Sequence, residues 1–202
     1  METHPVCEIF PEMDRDHFAA LMRDIAVNGL REPIVTYEGR IIDGRHRARA
    51  CRQVGVKPRY REWDGQGDLA GYVVALNLHR RHLDESQRAM IADKIATYRR
   101  GDNLNAVTAN LQLHTHADAA KLVNVSERSV ASASIVRNQG VPELAEMVEK
   151  GDVKVSAAEE VARLPEAVQE SVVQAGPEAV KKMAADRRTA RKAAPAPRKP
   201  SK

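Results

Sequence analysis

The stretch IIDGRHRARAC, residues 41–51, decides the fold, because an apolar pair, an acid and a glycine lead directly into a dense run of basic side chains. The apolar pair predicts the end of a buried strand, and Gly44 allows a tight turn after it. The next helix then begins with three basic side chains: Arg45, His46 and Arg47. Since the first turn of a helix has unpaired N–H groups, this turn favours an anion such as a phosphate. A solvated helix start and a thiol reaction are the alternatives.

Strand and helix patterns alternate on both sides of this turn. Apolar residues at helical spacing predict a helix over residues 14–28, and PIVTY with RIID predicts a β-hairpin around a Glu-Gly turn. Residues 58–63 predict another strand, and residues 68–78 predict another helix. We therefore expect residues 1–80 to form a small α+β domain.

From Asp84 onward the pattern is helical almost throughout. Asp84 and Gln87 predict a capping box for a helix that runs to about Arg99. Later helices are expected to begin at Pro142, at Ser156 with Glu159 as its capping partner, at Pro165 and at Pro177. Residues 81–186 are thus predicted to form an all-helical domain.

Charge is divided unevenly along the chain. The last sixteen residues, 187–202, carry seven Lys or Arg and no acid, which leaves 25 basic and 28 acidic residues before them. A segment rich in Pro, Ala and Lys buries too little apolar surface to order itself, and its charge attracts polyanions. We predict a disordered basic tail that contacts nucleic acid, with a merely solvating tail as the alternative.

Membrane and disulfide classes are not expected. No apolar run approaches the roughly 20 residues that a spanning helix needs, and METHPVCEIF has no signal pattern. Cys7 and Cys51 lie far apart without metal-ligand spacing. These features predict a reduced, cytoplasmic protein with no membrane partner and no direct metal ligands.

Residues 116–136, HADAAKLVNVSERSVASASIV, have the layout of a helix-turn-helix. Ala120 is small where two helices cross, Asn124 tolerates the turn conformation, and Ser126 suits the cap of the second helix. Val130 and Ala133 are expected to hold that helix against the first. A generic pair of packed helices is the alternative.

Short polar groups and one arginine are predicted to remain outward on the second helix, where they suit base edges and phosphates in a major groove. The predicted DNA-binding residues are Ser126, Glu127, Arg128, Ser129 and Ser132. Because this segment is not strongly basic, phosphate contacts from the tail or a second protomer are also expected.

Five ordered motifs, spread over about residues 8–185, resemble the ParB partition-protein family, which has a ParB/sulfiredoxin-like N-terminal domain and a helical domain with a helix-turn-helix. The motifs begin with AALMRDIAVNGLREPIVTY, IIDGRHRARACRQVG and ALNLHRRHLDESQRAMIADKI, and continue with AAKLVNVSERSVASASIV and GVPELAEMVEKGDVKVSAAEEVARL. The resemblance implies an α+β domain followed by an all-α DNA-binding domain.

The resemblance also implies that the glycine-plus-arginine turn binds the phosphates of a nucleotide, typically CTP with Mg. The residues that match are Gly44, Arg45, His46 and Arg47 in the turn, with Asn77 and Arg80 in the later motif. Two departures stand out. The turn has Arg45 and His46 where the family usually has an acid and an arginine, and Leu76 replaces an acid that helps to hold the metal-bound nucleotide. Metal-dependent turnover is therefore less expected than phosphate binding.

Sulfiredoxin shares the N-terminal fold, but Arg45 occupies the position of its reactive cysteine, and Cys51 suits a small buried residue. We therefore reject thiol chemistry. A ParB-like nuclease and a nucleotide-hydrolysing switch stay open as alternatives, although carboxylates are sparse.

The partners implied by the resemblance are double-stranded DNA, a nucleotide, a second copy of the chain and a partition ATPase. The chain is expected to act at the nucleoid or on a plasmid, in partition or in transcription regulation. The family's usual C-terminal dimerisation domain has no counterpart in this sequence, so a homodimer would form through the N-terminal or helical region.

Overall fold

The structure is a computed structural model, and it describes three stretches of the chain: residues 1–78, 83–97 and 115–193. The described residues form two compact units: residues 1–78, 94–97 and 115–123 make the first, and residues 83–93 and 124–193 make the second. The first junction lies close to the predicted domain boundary at residue 80. The assignment of residues 94–97 and 115–123 to the first unit was not expected from the sequence.

The N-terminal segment of the first unit, residues 1–78, contains a 3-10 helix, Pro5–Ile9, three α-helices and a three-stranded sheet. The helices are α1 (Arg15–Asn28), α2 (Arg45–Val54) and α3 (Leu69–Leu78), and the strands are β1 (Ile34–Tyr37), β2 (Arg40–Asp43) and β3 (Tyr60–Glu62). The predicted helix over 14–28, the hairpin and the α+β class of this region are therefore confirmed. The 3-10 helix was not predicted.

Helix α1 forms where the sequence predicts it because both of its ends are capped. The Asp14 carboxylate accepts hydrogen bonds from the backbone N–H groups of Asp16 and His17, and Gly29 follows the last turn. Phe18 and Ile25 face the unit's core, which α1 shares with apolar residues of β1, β2 and α2. One face of α1 thereby covers the helix that begins at Gly44.

The sheet has the order β2-β1-β3, with β1 and β2 antiparallel and β1 and β3 parallel. The pairing of β1 with β2 is irregular between Val35 and Thr36, and Thr3 forms an isolated bridge to Ile41. Ile34 and Ile42 are fully buried. The strand that ends at Asp43 is thus fixed on both sides before the chain turns into α2.

The second unit, as far as it is described, is helical. Its helices are most of α4 (Glu85–Thr97), then α6 (Glu127–Gln139), α7 (Pro142–Lys150), α8 (Val155–Ala162), α9 (Glu166–Gln174) and α10 (Pro177–Ala193), whereas α5 (His116–Leu122) belongs to the first unit. Small aliphatic residues from these helices form one core, with Leu144, Val161 and Val180 fully buried. The predicted all-helical region is confirmed for its described residues.

Two predicted capping boxes have different outcomes. Asp84 and Gln87 exchange hydrogen bonds of 2.9 Å between side chain and backbone, as predicted. The box at Ser156 is wrong, because α8 already begins at Val155 with Lys154 as its N-cap residue. The side chain of Glu159 is therefore not used as a cap.

The predicted disordered tail, residues 187–202, needs a correction at its start, because α10 continues to Ala193. The Glu160 carboxylate lies 3.3 Å from the Arg191 guanidinium, and Arg188 donates a 2.6 Å hydrogen bond to the carbonyl of Ser156. These contacts hold the first basic residues against α8. Residues 194–202 lie outside the described part of the chain.

In the described part of the chain, no helix has the length and apolar character needed to cross a membrane.

Candidate functional site

The turn between β2 and α2 has the backbone geometry that the sequence predicts. Gly44 has a left-handed conformation, φ 89° and ψ 22°, at the N-cap of α2, and no side chain among the described residues caps that helix end. A Cβ atom at Gly44 would lie 2.9 Å from Nη2 of Arg47. A glycine is therefore needed here both for the turn and for the guanidinium packed over it.

Arg45, the first of the three basic residues, is folded back onto the N-terminal segment. Its guanidinium donates to the carbonyl oxygens of Cys7, at 2.7 Å, and Phe10, at 2.9 Å, and lies 3.1 Å from Oε1 of Glu12. Its side chain is only 15% exposed. Arg45 thus fixes the 3-10 helix against the turn.

His46 is likewise bound within the protein. Its Nε2 lies 2.8 Å from Oε2 of Glu12, and the residue is buried. Partial burial alone would raise the pKa of the Glu12 carboxyl, but the hydrogen bond with His46 and the charge of Arg45 lower it. The Glu12 carboxylate therefore contacts two of the three basic residues.

Arg47 pairs with the acid that ends β2. Its Nη2 lies 2.8 Å from Oδ2 of Asp43 and 3.3 Å from the carbonyl oxygen of Pro33. Asn77 of α3 also reaches this acid, since its Nδ2 lies 3.4 Å from Oδ1 of Asp43 and 2.9 Å from the carbonyl oxygen of Val73. The structure therefore brings Asn77 to the turn, as the sequence motif suggested.

A small recess, open to solvent, lies at this turn. Its lining residues are Cys7, Phe10, Ile42, Asp43, Gly44, Arg45, Val73 and Asn77. The recess offers a phosphate the uncapped start of α2 and an edge of Arg45. The Asp43 carboxylate is already bonded to Arg47 and Asn77, so these described residues suit a phosphate better than a metal ion beside it.

Two predictions at this turn have further outcomes. Burial raises the pKa of the Cys7 thiol to about 12, with the Arg45 charge opposing that shift, so the recess contains no activated thiol. Arg80, predicted to contact the nucleotide, lies outside the described residues, as do His79 and His82. Among the residues that are described, no three His, Cys, Asp or Glu side chains come together in a way that could hold a metal ion.

The turn of the predicted helix-turn-helix has the expected local geometry. Thr115 and Asp118 form a capping box at the start of α5, which was not predicted from the sequence. Asn124 has a φ of 53°, so it occupies the left-handed region as predicted. The Ser126 hydroxyl accepts a 3.0 Å hydrogen bond from the N–H of Ser129, which confirms Ser126 as the cap of α6.

Helix α6 buries one side and exposes another. Val130, Ala133 and Val136 are fully buried, and Ala133 and Val136 belong to the core of the second unit. Glu127 and Arg128 are exposed at the first turn. Ser129 is half-buried, and its hydroxyl donates a 2.9 Å hydrogen bond to Oε1 of Glu85 in α4.

Ser132 was predicted to face outward, and the structure corrects this. The residue is 4% exposed, and its hydroxyl lies 2.7 Å from Oε2 of Glu159 in α8. At 100° per residue, Ser132 turns toward α8. The side chains that continue the face of Glu127 are instead Ala131, Ser134 and Asn138, which the sequence reading missed.

Comparisons with known proteins give solved structures only. No family model and no curated protein matches the chain. Two solved structures of the C-terminally truncated chromosome-partitioning protein ParB from Caulobacter crescentus do match. The one complexed to the centromeric parS site is 14% identical, with a TM-score of 0.43, and the match covers 87% of this chain and 90% of that chain. The one complexed with CTP-gamma-S is 16% identical, with a TM-score of 0.30 and coverages of 86% and 88%.

Both structures come from the family that the five sequence motifs resemble. The proposed function depends on the residues of the chain itself.

Proposed function

We propose that the chain is a ParB-type protein that recognises a sequence in double-stranded DNA, with α6 as the recognition helix. The observation that carries the proposal is the turn into α6. Asn124 takes the left-handed conformation and Ser126 caps the helix, while Val130 and Ala133 bury its opposite side. This arrangement presents the first turn of α6 to solvent, where a recognition helix contacts base edges.

The exposed face of α6 has side chains suited to a major groove. Arg128 is 79% exposed and can pair with a guanine or a phosphate, and Ser134 and Asn138 can reach base edges further along the helix. The first residues of the predicted tail extend the basic character of this unit through Arg188 and Arg191 of α10. Such residues supply phosphate attraction that depends on salt.

The experiment begins with duplexes selected by the full chain from a random-sequence pool. Arg128→Ala should weaken binding to the preferred duplex by about 1–3 kcal/mol, and a shuffled duplex should lose less. Arg52→Ala removes an exposed arginine from α2 and serves as the charge-matched control. If the pool yields no preferred sequence, the proposed function is wrong. If Arg128→Ala binds like Arg52→Ala, Arg128 does not read bases.

The β2–α2 turn favours a second part of the proposal, a nucleotide bound by its phosphates at the start of α2. The support is the uncapped helix end at Gly44, beside Arg45 and Asn77 in one recess. CTP is the nucleotide that the sequence resemblance implies, and Leu76 stands where the metal-assisting acid would be. When bound, the charged nucleotide would change how two copies of the chain associate.

Thermal unfolding with each of the four nucleoside triphosphates, with and without Mg, tests this part. CTP should raise the midpoint more than the other three, because ligand binding to the folded state stabilises it. If none of the four triphosphates changes the midpoint of thermal unfolding, the chain does not bind a nucleotide at this turn. Light scattering in the same samples would show whether CTP changes the homodimer.

The cellular role proposed is partition or transcription regulation at the nucleoid or on a plasmid, with a partition ATPase as partner in the first case. The position of the selected sequence in the genome separates the two roles. A cluster of sites beside the gene for this chain favours partition, and a single promoter favours regulation.

A further inference from the structure

Glu159 is an acid inside the second unit, on the side of α8 that faces α6. Its side chain is only 8% exposed. Burying a carboxylate costs several kcal/mol unless it is paired and hydrogen-bonded. The partners of Glu159 therefore show what this acid does.

Three side chains from two elements contact this carboxylate. Ser132 donates to Oε2 at 2.7 Å, and Arg163 donates to Oε1 at 2.8 Å. Arg128 reaches the same Oε1 at 3.4 Å. Burial alone would raise the pKa of the Glu159 carboxyl, but the hydrogen bonds from Arg163 and Ser132 and the charge of Arg128 lower it. The acid is therefore charged at neutral pH.

The two arginines come from different places but share one oxygen atom. Arg128 lies in the first turn of α6, and Arg163 directly follows α8 as its C-cap residue. Their side chains are 79% and 45% exposed. A guanidinium has five N–H donors, and the contact with Glu159 occupies one on each. Because both contacts end on the same oxygen, the two guanidiniums are adjacent, and both side chains remain partly exposed to solvent.

We propose that Glu159 is a positioning residue that holds Arg128 and Arg163 side by side, and that Arg163 is a contact to the DNA phosphate backbone. The inference rests on the proposed function, because it places the pair at the start of the recognition helix. One buried anion between two cations leaves one net positive charge, which suits a phosphate. The same anion stops the pair from acting as an unrestrained double charge toward any nucleic acid.

The contact to phosphate is tested through the salt dependence of binding. The probes are the duplex selected by the wild-type full chain and a shuffled duplex of the same length, in fluorescence anisotropy at several salt concentrations. Arg163→Ala should weaken both duplexes together and reduce the slope of log affinity against log salt by about 0.9, the value for one phosphate contact.

Lys150→Ala is the matched control, because Lys150 is also an exposed cation paired with one carboxylate, that of Glu146, in the same unit. It should leave the slope as in the wild type. If Arg163→Ala and Lys150→Ala give the same slope, Arg163 does not contact phosphate and the proposal is overturned.

Glu159→Gln tests the positioning role. Without the anion the two guanidiniums repel each other, so binding to the selected duplex should fall. Binding to the shuffled duplex should rise, because one negative charge is gone. The ratio of the two affinities should therefore drop, whereas Glu146→Gln should leave it unchanged. A Glu159→Gln variant that unfolds more easily but keeps the wild-type ratio would show that Glu159 acts only through stability.

The two proposals fail separately. A wild-type chain that prefers no sequence contradicts the proposed function, but its salt slope on the shuffled duplex still decides whether Arg163 contacts phosphate. If Glu159→Gln does not fold, the Arg163→Ala slope decides the inference alone, since the Arg163 side chain is 45% exposed and lies outside the core of the unit.

Discussion

The β2–α2 turn and the α6–α8 pair both place arginines next to an acid, yet they use them in opposite ways. At the turn, the Arg47 side chain is 14% exposed and lies 2.8 Å from Asp43, which is itself buried. On α6, the Arg128 side chain is 79% exposed and lies 3.4 Å from Glu159. The first arginine completes the fold, and the second keeps most of its donors for a partner. The number of basic residues in a motif therefore says less about ligand binding than the exposure of each guanidinium.

The largest effect is expected at the turn. Arg47→Ala removes the guanidinium 2.8 Å from the buried Asp43 carboxylate, so the free energy of unfolding should fall by about 3–5 kcal/mol. Urea unfolding followed by the fluorescence of Trp63, the one tryptophan in the chain, measures this because Trp63 is buried in the same unit. Arg128→Ala and Arg52→Ala should each stay within about 0.5 kcal/mol of the wild type. Equal losses in the free energy of unfolding for Arg47→Ala and Arg52→Ala would show that the buried arginine stabilises the fold no more than the exposed one.

A smaller loss is expected for Gly44→Ala, because its φ of 89° strains any other residue and the new Cβ would press on the Arg47 guanidinium. Gly55→Ala is a matched control, with a φ of 72° and open space around the site. Both variants should lose about 1–2 kcal/mol from backbone strain, and Gly44→Ala should lose roughly 1 kcal/mol more from the displaced side chain. The same urea titration compares the two variants. Equal losses of stability would show that the Arg47 guanidinium moves away from the new Cβ atom at no cost.

Ser132 and Ser134 sharpen the comparison within α6. Ser132→Ala removes a hydrogen bond to the Glu159 carboxylate, so it should cost about 1–2 kcal/mol of stability and leave base preference largely intact. Ser134→Ala, on the half-exposed side, should leave stability within about 0.5 kcal/mol. Thermal unfolding by circular dichroism, together with binding to the selected duplex, separates the two. Loss of base preference in Ser132→Ala at wild-type stability would contradict the orientation of α6.

The smallest effect concerns pH. The pKa of Glu159 is lower in the folded chain than its ordinary value of 4.5, so its contribution to stability is complete above that value. It is lost as the pH falls through the lower, folded pKa. Glu159→Gln should therefore narrow the stability difference between neutral and acid pH, with Glu146→Gln as the control variant at an exposed acid. Parallel pH dependence in the wild type and both variants would show that Glu159 is not held charged by its partners.

Much of the fold could be predicted because it depends on short-range patterns. The stretch IIDGRHRARAC specifies a strand, a glycine turn and a helix within eleven residues, and the caps at Asp84 and Ser126 can be recognised from neighbouring side chains. The parallel pairing of β3 with β1 could not, because it joins residues far apart in the sequence. The 3-10 helix at the N-terminus was missed for the same reason, since Arg45 holds it through carbonyl groups nearly forty residues away.

The site was predicted less completely, because the sequence does not show where a long side chain points. Arg45 and His46 were expected to face a phosphate, but Glu12 and two backbone carbonyls occupy them. Ser132 was expected to face outward, but its hydroxyl donates a hydrogen bond to Glu159 of the neighbouring helix. Position on a helix could have identified Ser134, since it lies seven residues after Glu127 on the same face.

Thiol alkylation on α6 with and without DNA tests the central claim most directly. Cys7 and Cys51 are both buried, so a cysteine introduced at Ser134 would be the main reactive thiol, with Ser171→Cys on the exposed side of α9 as the control. If α6 lies on the DNA, the selected duplex should slow alkylation strongly at position 134 and little at position 171. Equal alkylation at position 134 with and without a saturating amount of that duplex would show that α6 does not lie on the DNA.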